Sequence, residues 1–298
     1  MVVKCRALSE AFYDELKNGV YKPLVDRVRL DKDLDLEFRG TYVNIYYQGH
    51  SILKLYSTGK FAIDPEFLRK VDNLPEELKT KEAVSSFLTQ IPQIKDNVVY
   101  RPQEHDENKR VSRSREVEFE QLLIRANNLE SRNVSDYIII DRQYAVNGSK
   151  DRWDLIALRY PSKGKPKGYL SIIEVKYAQN PDIKDIKLQV ERYGDYLERH
   201  FSNICCDMNK VLKQKLDLGL IVRSPERIEW LKRLCIDDAI DKQVESAEII
   251  IYLIDYSSNS SLKKLAENSG RPKFGGKVRI TLGGLALWQA NLSDFGGK

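Results

Sequence analysis

The segment GYLSIIEVKYAQ, residues 168–179, reads as a buried β-strand, yet it carries Glu174 and Lys176. Side chains two apart along a strand project to the same side of the sheet. A carboxylate and an ammonium therefore stand side by side on one face of an apolar run, where charge is costly unless it is paired or ligated. The ExK spacing alone says little, because it also occurs at Glu15/Lys17, Glu77/Lys79 and Glu107/Lys109. Those three lie in polar helical or loop contexts, where a solvated face accounts for them. Only the fourth lies in a β-rich apolar run.

The preceding strand sharpens the question. DRWDLIALRY and GYLSIIEVKY flank the basic loop PSKGKPKG, residues 161–168. Pairing them as an antiparallel hairpin puts Asp154 opposite Glu174 within one residue of register. Directly opposed side chains sit about 5 Å apart, and two carboxylates there repel unless a cation lies between them. A hard divalent ion, Mg²⁺ (or Mn²⁺), is held by one or two carboxylates with water and substrate phosphate. The three histidines are scattered at 50, 105 and 200, and the four cysteines show no CxxC spacing. A nitrogen or sulfur zinc site is therefore disfavoured. The plain alternative is an exposed pair of acids with Lys176 in an ordinary salt bridge; the apolar context favours the cation.

The flanking segments must position this set. Upstream, SREVEFEQLLIRANN is an amphipathic helix with Phe119, Leu122, Leu123 and Ala126 on one stripe. Glu116 and Glu120 border that stripe, and either could reach the sheet as a further ligand. Downstream, DIKDIKLQVERYGDYLERHF places Ile186, Val190, Tyr193 and Leu197 at helical spacing. Gln189 lies one turn before Tyr193, where the two could share hydrogen bonds.

Asp154, Glu174-Val175-Lys176, a Glu-bearing helix before them and Gln189xxxTyr193 after them together resemble the PD-(D/E)XK nuclease superfamily. The Gln/Tyr element resembles its RecB-like exonuclease branch. EFEQLL is similar to the leading helix of Mrr-type restriction enzymes, which favours Glu120 over Glu116. The resemblance spans roughly residues 110–223, and Trp153 stands where the superfamily often has proline. It implies a restriction-endonuclease-like mixed sheet flanked by helices. It further implies an Mg²⁺-dependent deoxyribonuclease in which Asp154, Glu174, the carbonyl of Val175 and Glu120 hold the metal. Lys176 would orient or deprotonate the water with its pKa lowered by the metal, and Gln189 and Tyr193 would position the strand or its phosphate.

Around this core the chain is α/β. Residues 1–103 form a smaller α+β N-terminal domain: helices over residues 1–30 with Ser9 as a cap, an antiparallel meander within residues 34–64, and a charged helix near 75–90. IPQIKDNVVYRPQEHDENKR reads as a linker. Residues 104–298 form the nuclease-like domain: a helix over 114–128, strands over 136–146, 152–160 and 169–178, a helix over 182–201, a strand over 217–223, a helix over 225–243 and a strand over 247–256. A tail containing KVRITLGGLALWQ follows.

At 42% apolar and 31% charged residues, the 298-residue chain has the composition of a soluble protein, with no stretch long enough for a membrane helix. Cysteine usage points to a cytoplasmic setting. The net charge of +5 falls entirely after residue 100, which suits DNA as a partner. Lys165 and Lys167 at the hairpin tip, with Arg110, Arg113 and Arg115 before the leading helix, are the expected phosphate contacts. Trp153 reads as core or as a base-stacking ring, and the aromatic alternation Tyr42, Ile45, Tyr46, Tyr47 reads as packing more than as a nucleic-acid platform. A homodimer fits a nuclease that cuts both strands. The competing readings are a catalytically inactive nuclease-fold protein that binds nucleic acid or serves in an assembly, and an α/β protein whose hairpin charges form a structural ion-pair network.

Overall fold

The computed structural model describes residues 5–100, 107–130, 135–146, 151–160, 166–177, 181–257, 260–261, 264 and 273–284, with the side chains of 107–114 and 181–182 outside the description. Helix α1 (Glu10–Lys17) opens on Ser9, whose hydroxyl accepts the Phe12 N–H, and α2 (Lys22–Leu30) follows with proline in its first turn. The chain then builds an antiparallel meander of β1 (Leu34–Phe38), β2 (Tyr42–Tyr47), β3 (His50–Tyr56) and the short β4 (Phe61–Ala62). Leu34, Leu36 and Phe38 alternate into the apolar core.

The expected linker is largely helix. Residues 91–99 complete α3 (Lys81–Val99), where Ile91, Ile94 and Val98 are buried, and residues 107–110 begin α4 (Glu107–Asn128). Pro92 signals a break in sequence, but packing of this apolar stripe keeps the helix running through it.

The second sheet has five strands in spatial order: β5 (Tyr137–Ala145), β6 (Arg152–Arg159), β7 (Tyr169–Tyr177), β8 (Glu248–Ile254) and β9 (Lys277–Gly283). The first three run antiparallel, whereas β7, β8 and β9 are mutually parallel. Parallel pairing demands a crossover, supplied by α5 (Ile186–Asp217) and α6 (Pro225–Ile236). The fold is thus mixed α/β with one four-stranded antiparallel and one five-stranded mixed sheet.

Two expectations fail here. Residues 217–223 are not a strand: α5 runs on to Asp217, Gly219 turns the chain at φ +68°, and Leu220 and Ile221 enter the core as a connector. The fifth strand comes instead from the tail, KVRITLG. The helix expected over 225–243 ends at Ile236.

Both faces of the five-stranded sheet are covered, as its parallel part requires. On one side Ile124 of α4 packs with Ile139, Leu155, Ala157, Ile173 and Val175. On the other, Ile186, Val190 and Leu197 of α5 join the cluster containing Ile156, Leu158, Leu170 and Ile172, which continues into the N-terminal elements. The stripe expected on α4 is rotated. Leu122 and Ala126 are exposed, and the buried side carries Glu120, Gln121, Ile124 and Asn128. That side is mostly polar because it serves the ends of strands: Asn128 donates to the Ile139 carbonyl at 2.8 Å and accepts the Ile139 N–H at 2.9 Å.

Charged groups also fill the junction between the two sheets. Arg39 lies 2.6 Å from Asp141, Arg6 lies 3.2 Å from Asp141, and Lys215 lies 2.7 Å from Glu37. Tyr46 of β2 packs under the Arg142 guanidinium and shares its hydroxyl with Arg39 and Asn44, so this tyrosine is structural.

Candidate functional site

The paired register of β6 and β7 runs through Leu155 opposite Ile173. The paired stretch ends there, and the same register continued by one step would set Asp154 opposite Glu174. Strand alternation puts Asp154 on the side of Ile156, and Glu174 and Lys176 on the side of Ile172, so all three project toward α5. The pair is drawn together by a main-chain bond: the Val175 N–H donates to Oδ2 of Asp154 at 2.8 Å.

Glu174 is 3% exposed and its carboxylate is gripped from three directions. Lys176 Nζ lies 2.6 Å from Oε1, the Gln189 amide donates to Oε1 at 2.7 Å, and the Tyr193 hydroxyl donates to Oε2 at 2.8 Å. Gln189 and Tyr193 are themselves 2.6 Å apart, as helical i,i+4 neighbours can be. Ile186, Val190 and Leu197, buried as the spacing indicates, turn this side of α5 onto the sheet.

Electrostatics follow from burial and crowding. Burial first, then the like charges of Glu174 and Glu120, push the Asp154 carboxyl well above the usual aspartate range. Burial alone would lower the Lys176 amine, but Glu174 and Asp154 hold it above the ordinary lysine value. The protein's own groups thus favour the ammonium form of Lys176. Burial raises the Tyr193 phenol, with Glu174 adding to the effect, so it stays a donor.

Both helix acids reach the strand ends. Glu116 accepts the Tyr177 N–H at 3.0 Å. Glu120 is 1% exposed and accepts from Arg142 at 3.0 Å and from the Gln143 amide at 2.7 and 2.8 Å, one to each oxygen. Among the described residues no three His, Cys, Asp or Glu side chains form a group able to hold an ion by themselves. The donors available are therefore the Asp154 and Glu174 carboxylates and the Val175 carbonyl. A carboxylate has about four acceptor positions. Asp154 uses one and Glu174 three, so both keep capacity for a hard cation, a fit to Mg²⁺ or Mn²⁺ with water completing the shell.

The expected phosphate contacts are less assembled. Lys167 is exposed but lies 3.0 Å from Asp241, and Arg115 sits over the Tyr177 ring. Lys165 and the side chains of Arg110 and Arg113 lie outside the described residues. Trp153 is fully buried between Tyr144, Tyr193 and Tyr196, which makes it core and not a base platform. Sequence reasoning missed Arg142 and Gln143. Their signal was the polar run Asp141-Arg142-Gln143 inside the apolar strand YIIIDRQYA, the same kind of signal that exposed Glu174 and Lys176.

No protein-family model matches the chain, and no curated protein matches it in sequence.

Proposed function

We propose that the protein is a metal-dependent nuclease that hydrolyses DNA phosphodiester bonds, acting in restriction, repair or defence. The observation that carries this reading is the bond from the Val175 N–H to Asp154, which lies just past the paired stretch of β6 and β7, with the Lys176 ammonium on the neighbouring Glu174. A buried strand acid whose pKa is raised, as that of Asp154 is, is a mark of functional sites. In this reading the five-stranded sheet with its helices is a restriction-endonuclease-like core, and residues 104–298 are the nuclease domain.

Asp154, Glu174 and the Val175 carbonyl would hold Mg²⁺ or Mn²⁺. Such an ion, when bound, supplies Lewis acidity and a water of lowered pKa. Lys176, held protonated by its acidic neighbours, would offset the negative charge of the scissile phosphate and orient the attacking water. Gln189 and Tyr193 fix both oxygens of Glu174, so that the acid needs no reorganisation when substrate arrives. Arg115 and Lys167 would contact phosphates flanking the cut, and a homodimer would address the two strands.

The test is incubation of linear, circular and single-stranded DNA with Mg²⁺, Mn²⁺ or EDTA, using the wild type, Asp154→Ala and Lys176→Ala. The reading requires cleavage that EDTA and both substitutions abolish. One observation favours a second reading: three donors already occupy Glu174, as in a structural network. A catalytically inactive protein that binds nucleic acid would bind DNA in a salt-dependent way, without cleavage and regardless of either substitution.

A further inference from the structure

Glu248 opens β8, level with Ser171 and three residues short of the level of Glu174. It is 1% exposed, and side chains from the four other strands of the sheet converge on it. The Tyr137 hydroxyl of β5 donates to Oε2 at 2.8 Å, the Ser171 hydroxyl of β7 donates to Oε2 at 3.1 Å, and Nε of Arg279 on β9 donates to Oε1. Arg159 of β6 stays further off, with its Nε 3.9 Å from Oε2. A carboxylate oxygen accepts about two hydrogen bonds, so Oε2 is already full. Among the described residues the Arg159 guanidinium therefore donates no hydrogen bond, although its Nε is buried.

These residues share one side of the sheet. Tyr137, Arg159 and Tyr169 lie level in register across β5, β6 and β7. Alternation sets them with Ile139, Ala157 and Ile173, on the side that α4 covers. The cover stops short of them: Asn128, the last residue of α4, is bonded to Ile139, and Tyr137 lies two residues beyond. The side chains of Arg159 and Arg279 accordingly remain 32% and 57% exposed. The Arg159 guanidinium lies over the Tyr169 ring, 4.6 Å from its centroid, a cation–π contact that holds it in place. Lys167 stands over the same ring at 5.4 Å but is paired with Asp241 at 3.0 Å. Two guanidiniums thus share one carboxylate, two positive charges against one negative, and no other acid among the described residues pairs with either.

We propose that Arg159 and Arg279, set around the buried Glu248 on the open end of this sheet face, bind a phosphate group carried by a nucleic-acid strand or by a free nucleotide. A planar guanidinium with free N–H groups matches phosphate oxygens. A carboxylate's two oxygens are filled by one bidentate guanidinium, whereas a phosphate can engage both, and on a strand successive phosphates would take one each. Glu248 and the Tyr169 ring preset the two arginines, so little side-chain freedom is lost on binding. The site uses no metal and none of the residues around Asp154 and Glu174, and it stands or falls apart from the nuclease reading.

The test uses the full chain in EDTA, so that no cleavage intervenes. Binding of a labelled single-stranded oligodeoxynucleotide is read by fluorescence anisotropy across a salt series, and binding of a deoxynucleoside monophosphate by calorimetry. The wild type is compared with the double variant Arg159→Ala/Arg279→Ala. If a strand carries the phosphate, the double variant binds the oligonucleotide about tenfold more weakly. Its slope of log affinity against log salt is then shallower by about 1.4, roughly 0.7 for each lost phosphate contact. If a free nucleotide carries it, the monophosphate binds the wild type and not the double variant, while oligonucleotide binding is unchanged. Should the double variant fail to fold, Arg159→Lys/Arg279→Lys keeps the charges without the planar donors and shows the same loss, reduced, with the salt slope kept. Wild-type affinity for both probes in whichever double variant folds overturns the site. So does binding of neither probe by the wild type, or an acidic peptide of matched charge that displaces the oligonucleotide as readily as an unlabelled one does.

Discussion

The hydroxyl of Tyr193 donates to Oε2 of Glu174 at 2.8 Å, while Gln189, one helical turn earlier, holds Oε1 at 2.7 Å. One side of a single helix thus fixes both oxygens of a buried strand carboxylate. Tyr193→Phe keeps the ring contact with Trp153 but removes the donor to Glu174. Leaving one oxygen of a buried carboxylate short of a partner should cost about 1–3 kcal/mol, read by urea denaturation. A loss below a few tenths would mean that the phenol does not support Glu174.

Asp154→Asn should separate function from stability. An acid whose pKa is raised in the fold is one whose charged form the fold disfavours, so at neutral pH a neutral isostere relieves the protein. Asparagine can still accept the Val175 N–H. Stability in EDTA at pH 7.5 should rise, while Mn²⁺ binding is lost. A less stable variant would show that Asp154 is a structural acid and not a strained functional one.

The inter-sheet network carries a pH signature. Burial pushes the Glu37 carboxyl up to about 8, against the pull of Lys215. The folded state therefore holds the Glu37 proton more tightly than the unfolded chain does. That stabilising contribution is complete below the ordinary value of 4.5 and is lost as pH rises through about 8. Wild-type unfolding free energy should therefore fall more between pH 5.5 and pH 8.5 than that of Glu37→Gln. Equal slopes would place the Glu37 pKa near its usual value.

Asn128→Ala should destabilise the protein by about 1–3 kcal/mol, because it strips the Ile139 N–H and carbonyl of their side-chain partners at a bulge in β5. The check is the denaturation midpoint, with faster hydrogen exchange expected at Ile139. An unchanged midpoint would mean that water replaces the asparagine at little cost.

Much of the site can be read from spacing because it is built from local rules. Strand alternation puts Glu174 and Lys176 on one side, hairpin symmetry brings Asp154 opposite, and helical spacing brings Gln189 and Tyr193 onto the buried side of α5. What spacing cannot supply is tertiary choice. Nothing local indicates that Glu120 answers to Arg142 and Gln143 across the sheet, or that the α4 stripe turns its polar residues inward. LDLGLIV has the composition of a strand, but the helix before it continues to Asp217 and Gly219 turns away. KVRITLG becomes β9 only because β8 offers it an edge. Pro92 misleads for a related reason: the apolar stripe through Ile91 and Ile94 outweighs one missing hydrogen bond.

The most direct measurement is an anomalous difference map from a crystal soaked in Mn²⁺. The account predicts one peak between Asp154 and Glu174, at about 2.0–2.4 Å from a carboxylate oxygen of each and from the Val175 carbonyl. A map with no peak there, and with Lys176, Gln189 and Tyr193 still closed on Glu174 at saturating Mn²⁺, would contradict it.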